Sequence, residues 1–314
     1  MQTEDYEIID AHVHLWKSIE HEKTALPVSG RRDRDRWGTP DAAIDIMDKC
    51  GISKLVFLNL MPTEEMTQAA LKKLDPGLTP QDLETAKIQI KEEMASRVRR
   101  QNQWACELGT RYNRLVPLIG IQKILGVDGM VEEVIRGHAQ GARGVKMVPG
   151  MNRFLPDDRD LWPMYEKCQE LGMPVTSDTG SIGPLTPKGR NYGEPANFTS
   201  VLESFPRLTL VMCHLASAFW DERVEMASRY PNLCFDMSGG FNAPDFAARD
   251  GRRAIAEEDA VRIMRKVGID RIIFGTDGPG VMPQPCIEQI MRLSLTEEEK
   301  RMILAENAKR IYKI

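Results

Sequence analysis

The sequence predicts an α/β fold, a TIM-type (β/α)8 barrel, and three observations support that prediction. Eight short β-rich runs alternate with helical stretches from end to end, the mark of a parallel sheet rather than of segregated α and β layers. Several runs, among them Leu208-Thr-Leu-Val-Met-Cys213 and Lys54-Leu-Val-Phe-Leu58, are almost continuously apolar, as strands covered on both faces must be. Polar side chains recur where the runs end, which in a barrel is one mouth.

Taken in order, the predicted strands are residues 7–10, 54–60, 115–122, 144–148, 174–177, 208–214, 233–237 and 271–275. The helices between them are well punctuated. Thr39 and Pro40 read as N-cap and first helical residue, and Gly51 as the stop, of a helix through Ile44-Asp-Ile-Met47. Thr296 with Glu299 is a capping-box pattern that opens the last helix, from Glu297 to about Tyr312. Two stretches interrupt the alternation: a loop over residues 17–38 after the first strand, and an insertion over residues 62–113 after the second. In the latter, Thr79-Pro80 starts a highly charged segment reaching Gly109. Its spaced apolar residues Leu83, Ile88, Met94, Val98 and Trp104 predict one long or two shorter amphipathic helices, read mainly as a solvated flap. A barrel places both stretches on its C-terminal face, where active sites are built. Residues 1–314 are thus expected to form a single barrel domain with a helical insertion.

Composition narrows the partners. The 314 residues include 42 basic and 46 acidic side chains, a formal net charge of −4. With no basic surplus, neither nucleic acid nor an anionic membrane is expected, which leaves small-molecule substrates. Six cysteines lie far apart with no C-x-x-C pair, and the acidic start MQTEDYEIID lacks the basic and apolar parts of a signal peptide. A reduced, cytoplasmic protein is expected. No run approaches the roughly 20 apolar residues of a membrane span.

The strand ends hold the chemistry. His12-Val13-His14-Leu15 places two of only five histidines two residues apart, and an extended backbone projects both to one side, as a divalent metal requires of a rigid ligand pair. Lys146 lies on the fourth strand, Asp178-Thr179-Gly180 follow the fifth, Cys213-His214 end the sixth, and Gly275-Thr276-Asp277-Gly278-Pro279 end the eighth. Singly, each has a structural explanation: His214 as a core histidine, Asp277 as a turn cap, Lys146 as partner to a buried carboxylate. Their convergence at successive strand ends is the pattern that barrel catalysis needs.

Asp10-Ala-His12-Val-His14, Gly144-Val-Lys-Met-Val-Pro149, Val211-Met-Cys-His214-Leu-Ala, Phe235-Asp-Met-Ser238 and Phe274-Gly-Thr-Asp277 together resemble the amidohydrolase superfamily. The likeness is closest to the amidohydrolase-related branch that includes proteins of the aminocarboxymuconate-semialdehyde decarboxylase type, and it runs to the closing Glu306-Asn-Ala-Lys-Arg310. The resemblance implies His12, His14 and Asp277 as metal ligands, and His214 as a ligand or a general acid/base. On strand five the branch usually carries a histidine before Thr-Gly, whereas this chain has Asp178. As a ligand, a carboxylate there favours Mn or Fe over Zn and weakens the metal as a Lewis acid. Lys146 matches a lysine that binuclear relatives carboxylate to bridge a second metal.

The leading expectation is a metal-dependent hydrolase. A divalent ion held by His12, His14, Asp178 and Asp277 would activate water against a small carbonyl or carboxylate substrate, with Asp277 or His214 managing the protons. A non-oxidative decarboxylase on the same site is the alternative. So is an oxygen-activating Fe/Mn hydroxylase subunit, for the chain also resembles 2-aminoisobutyrate hydroxylase subunits, and Asp178, Asp277, Lys146 and Glu194 make a carboxylate-enriched set. A third class is a barrel subunit that has lost catalysis. Arg31, Arg32, Arg34 and Arg36 alternate with Asp33 and Asp35, a pattern read as self-compensating surface charge rather than an anion site. The 62–113 insertion is large enough for a homo- or hetero-oligomer contact.

Overall fold

A computed structural model of the chain describes residues 6–25, 36–180, 183–215, 219–238 and 256–314. Eight parallel strands pair strictly in sequence order: β1 (Ile8–Val13), β2 (Ile52–Leu58), β3 (Leu115–Gly120), β4 (Gly144–Met147), β5 (Val175–Ser177), β6 (Leu210–Met212), β7 (Leu233–Asp236) and β8 (Ile272–Ile273). Every predicted strand is present, and with helices on the outside they make a (β/α)8 barrel of the TIM type. Two apolar layers hold it. Inside the barrel, Ile9, Ala11, Val56, Leu58, Val116, Leu118, Val211 and Ile273 pack with Ala308 and Tyr312 from the end of the chain. Outside, alternate strand residues such as Leu55, Phe57, Val145, Val175, Leu210 and Phe235 meet the helices. The continuous apolar runs reflect these two burials, one for each strand face.

The barrel closes between β1 and β8 by individual bonds. Ala11 N donates to Phe274 O at 2.9 Å, Asp277 N to His12 O at 2.9 Å, and His14 N to Gly278 O at 2.7 Å. Asp10 completes the seam, accepting from Thr276 N at 3.0 Å and Thr276 Oγ1 at 2.6 Å. Burial drives the Asp10 acid up to about 7 despite these bonds.

The helices correct some details of the sequence reading. α1 (Ile19–Ala25) begins within the loop after β1, and α2 (Pro40–Cys50) ends at Gly51, whose φ of 69° only glycine adopts freely. Thr39 stands at the N-cap position of α2, but its side chain makes no capping bond. After β2 come α3 (Thr63–Leu71) and one uninterrupted helix, α4 (Pro80–Arg111), which opens with Thr79 accepting from Asp82 N at 3.2 Å. Residues 80–93 of α4 bury no side chain, as a solvated flap would. The second half does the opposite: Met94, Val98, Asn102, Ala105, Cys106 and Leu108 are buried, making it the crossover helix between β2 and β3. The capping box of Thr296 and Glu299 is present. The last helix contains one wide π-type stretch, Met302–Glu306, which frees the carbonyl of Ile303 to accept from Phe274 N at 2.9 Å beside the seam. Arg31, Arg32 and Arg34 lie outside the described residues. Arg36 sits 3.6 Å from Glu22 Oε1. Among the described residues no helix is long and apolar enough to cross a membrane.

Candidate metal centre

His12 lies in β1 and His14 just after it. The pairing of β1 with β2 slips between Asp10 and Val13, a bulge that re-aims the histidine it contains toward the barrel mouth. The two imidazoles stand edge to face, with centroids 5.1 Å apart. Asp277, with φ of 64° just beyond β8, brings Oδ1 to 3.5 Å from His12 Nε2 and 3.4 Å from His14 Nε2. All three donor atoms fall within 4.8 Å of one another.

What surrounds these rings decides their tautomers. His12 Nδ1 lies 2.8 Å from Asp236 Oδ2, and His14 Nδ1 lies 2.9 Å from Leu58 O. A carbonyl and an ionised carboxylate only accept, so in the neutral ring each proton sits on Nδ1 and each Nε2 lone pair points at Asp277. Burial holds His12 down to about 4, against the pull of Asp236, so this ring is neutral. Burial also works against the charge of Asp277, yet the His14 bond and the neighbouring histidines keep its carboxyl below the ordinary range. In the neutral rings, three donor atoms therefore converge on one point. Ligand atoms about 2.1 Å from a shared ion at tetrahedral angles stand about 3.4 Å apart, so the donor set fits a divalent cation.

His214 and Asp178 form a different arrangement. His214, in the left-handed region at φ 63°, presents Nδ1 to Ser238 Oγ at 2.8 Å and Ser238 O at 3.2 Å, and Nε2 to Asp178 Oδ2 at 3.1 Å. Ser238 Oγ donates its own proton to Asp236 at 2.5 Å, so both ring nitrogens of His214 face acceptors. Burial opposes the charge, but Asp178 and then Asp277 and Asp236 raise the pKa of this imidazole above the ordinary histidine value. Asp178 is correspondingly held well below the carboxylate range: burial opposes its charge, but His214 and Lys146 prevail. Asp178 thus reaches His214 but belongs to neither of the close donor groups among the described residues. The second such group, His12 with His214 and Asp236, is already joined by hydrogen bonds.

Lys146 points into the barrel beneath this layer, 3.1 Å from Cys213 Sγ. Burial works against its ammonium, but Cys213, Asp178 and Asp236 hold it protonated above the ordinary lysine range. Glu194 stays outside the cluster, tied to Arg190 Nε at 2.6 Å and Asn191 N at 2.8 Å.

Sequence reasoning missed the residues that support the site. Asp236 is fully buried and holds His12 Nδ1, His214 N, and the N and Oγ of Ser238. Its one signal was a carboxylate inside an apolar strand in Phe235-Asp-Met-Ser238. Arg223, also fully buried, donates to the carbonyls of His214, Leu215 and Thr179 and so ties together the ends of β5 and β6. Nothing in its helix distinguished it.

The amidohydrolase family model matches residues 9–314, nearly the whole chain. The chain belongs to the amidohydrolase family. That membership marks it as an enzyme. No curated protein sequence matches this amidohydrolase. Solved structures share its fold at low identity. An uncharacterised TIM-barrel protein from Bordetella bronchiseptica is 19% identical with a TM-score of 0.69, over 97% of this chain and 98% of that one. A 2,6-dihydroxybenzoate decarboxylase, in complex with 2,6-dihydroxybenzoate, is 16% identical with a TM-score of 0.70, over 98% of this chain and 100% of that one. A 5-carboxyvanillate decarboxylase from Novosphingobium aromaticivorans, in complex with manganese and a nitrobenzoic acid, is 14% identical with a TM-score of 0.70, over 100% of this chain and 98% of that one.

Proposed function

We propose that this amidohydrolase is a divalent-metal-dependent, non-oxidative decarboxylase of small, hydroxylated aromatic or enolic carboxylates. The observation that supports it best is the placement of His214, whose ring nitrogens face acceptors on Ser238 and Asp178 that favour its acid form, beside the three converging donor atoms. An imidazole held toward its acid form suits a step that delivers a proton to carbon, as decarboxylation requires, better than one that must first take a proton from water. The decarboxylases that share the fold favour the same choice, and with it the alternative over the hydrolase first expected from the sequence.

In this reading His12, His14 and Asp277 hold the metal, which when bound anchors and polarises the substrate's oxygens. His214 supplies the proton. The carbon–carboxyl bond breaks, its electron pair stays on the substrate carbon, and that carbon takes the proton from His214 Nε2 as carbon dioxide departs. Asp178 keeps the proton on that nitrogen between turnovers, and solvent restores it afterwards. Lys146 balances the buried carboxylates from below.

The test is carbon dioxide release from a panel of hydroxybenzoates by the manganese-loaded and zinc-loaded protein, run beside ester, lactone and amide panels. Release from at least one hydroxybenzoate, lost in His214→Asn, is expected. Turnover of an ester, lactone or amide with no carbon dioxide from any acid would overturn the reading.

A further inference from the structure

A cleft of about 920 Å³ opens on the C-terminal face beside the metal centre, at the upper end of the size of small-molecule sites. It abuts the His14 side. Trp16, in its wall, has its ring centroid 6.1 Å from that of His14, and Leu60 and Met61, also in the wall, follow the Leu58 carbonyl that holds His14. None of His12, His14 and Asp277 lines this cleft, so it adds space beyond the candidate ligands themselves.

The walls have two characters. Met61, Met66, Met151 and Pro62 make an apolar surface, and methionine adapts to ligands of varied outline. Around it stand Lys17, Arg97, Arg100 and Arg153, against one lining acid, Glu65. Ion pairs do not cancel this charge. Arg97 and Arg100 share the single carboxylate oxygen Glu93 Oε1, at 2.8 and 3.2 Å, so two guanidinium groups divide one negative charge. Arg153 has Glu64 at 3.7 Å. With Glu93 and Glu64 counted, the cleft still has a net positive charge.

We propose that this cleft is a second substrate subsite, one that takes an apolar body ending in a distal anionic group, a carboxylate or phosphate, which Arg97 and Arg100 recognise. The inference rests on the decarboxylase reading for where the reacting carboxylate lies, but distal recognition is measured separately. Guanidinium pairs oxyanions bidentately, and at half-exposed positions such pairing supports an affinity gain of about five- to tenfold.

The experiment is titration calorimetry on the manganese-loaded protein with three ligands: para-pentylbenzoate, and the same molecule with its chain ending in a carboxylate or in a phosphonate. The wild type is expected to bind one of the acid-ended ligands about five- to tenfold more tightly than the pentyl compound. R97Q/R100Q is expected to erase that preference and leave pentylbenzoate affinity within about twofold, since both arginines lie on the exposed side of α4. Whichever acid-ended ligand binds more tightly identifies the distal group. Equal affinity for all three in the wild type, or a preference that survives R97Q/R100Q, overturns the proposal. If only the decarboxylase reading is wrong, no carbon dioxide is released while the calorimetric preference and its loss persist.

Discussion

Asp178→Asn is the most informative single change, because it keeps the shape of the side chain and removes only its charge. In the folded protein Asp178 Oδ2 lies 3.1 Å from His214 Nε2, with both side chains less than a tenth exposed. At an effective dielectric near 20, opposite charges at that separation attract by about 5 kcal/mol. Desolvation offsets part of this, and hydrogen bonds to charged groups contribute about 1.5–3 kcal/mol in practice. The His214 pKa is raised, so the acid form is present below that pKa and activity is lost as pH rises through it. Removing the anion lowers the pKa, and at 1.36 kcal/mol per pH unit the alkaline limb moves toward acid by about one to two units. The assay is the pH profile of kcat for carbon dioxide release, with manganese stoichiometry measured on the same samples. An unmoved limb refutes the pairing argument. A tenfold or greater loss of manganese occupancy would instead make Asp178 a ligand, and Asp178→His should then raise the preference for zinc.

The remaining predictions address the ligands and their supports. His12→Ala and Asp277→Ala are expected to lose both metal and turnover, whereas His214→Ala keeps the metal and loses about 10²–10⁴-fold in rate; full metal occupancy in His12→Ala would contradict the ligand assignment. Asp236→Ala strands His12 Nδ1, His214 N and Ser238 without their acceptor, so it should cost about 3–5 kcal/mol in a thermal or urea melt and weaken metal binding about 10–100-fold. Asp10, raised to about 7, holds a proton in the folded chain that it loses near 4 when unfolded. Its contribution to stability is therefore full below about pH 4 and declines as pH rises toward 7, by up to about 4 kcal/mol. The stability difference between metal-free wild type and Asp10→Asn should narrow over that window, and a pH-independent difference would rule out a buried protonated acid.

What the sequence revealed and what it hid have a common physical origin. Strands buried on both faces announce themselves as apolar runs, so all eight were legible, as were the Gly51 stop and the Thr296 capping box. That His12, His14 and Asp277 come together was legible because strand ends of one barrel share a rim. Asp236 was not, since its meaning depends on a partner 224 residues away, and a lone carboxylate in a strand does not say which ring it will hold. The identity of Asp178 was plain, but its partner was not: only the fold shows that it reaches His214. Helix α4 misled through its charge, because its exposed first half outweighs the buried second half in any count of polar residues.

The seam between β1 and β8 gives the candidate metal centre a mechanical meaning. His12 and His14 belong to the first strand of the chain, and Asp277 follows the last. An ion held by all three would act as a clasp across the one joint of the barrel that single bonds, rather than a full ladder, keep shut. Ion release and parting of the chain's two ends would then be one motion, so the amides of Ala11 and Asp277, which donate across that joint, would exchange with solvent more slowly in the loaded enzyme than in the empty one.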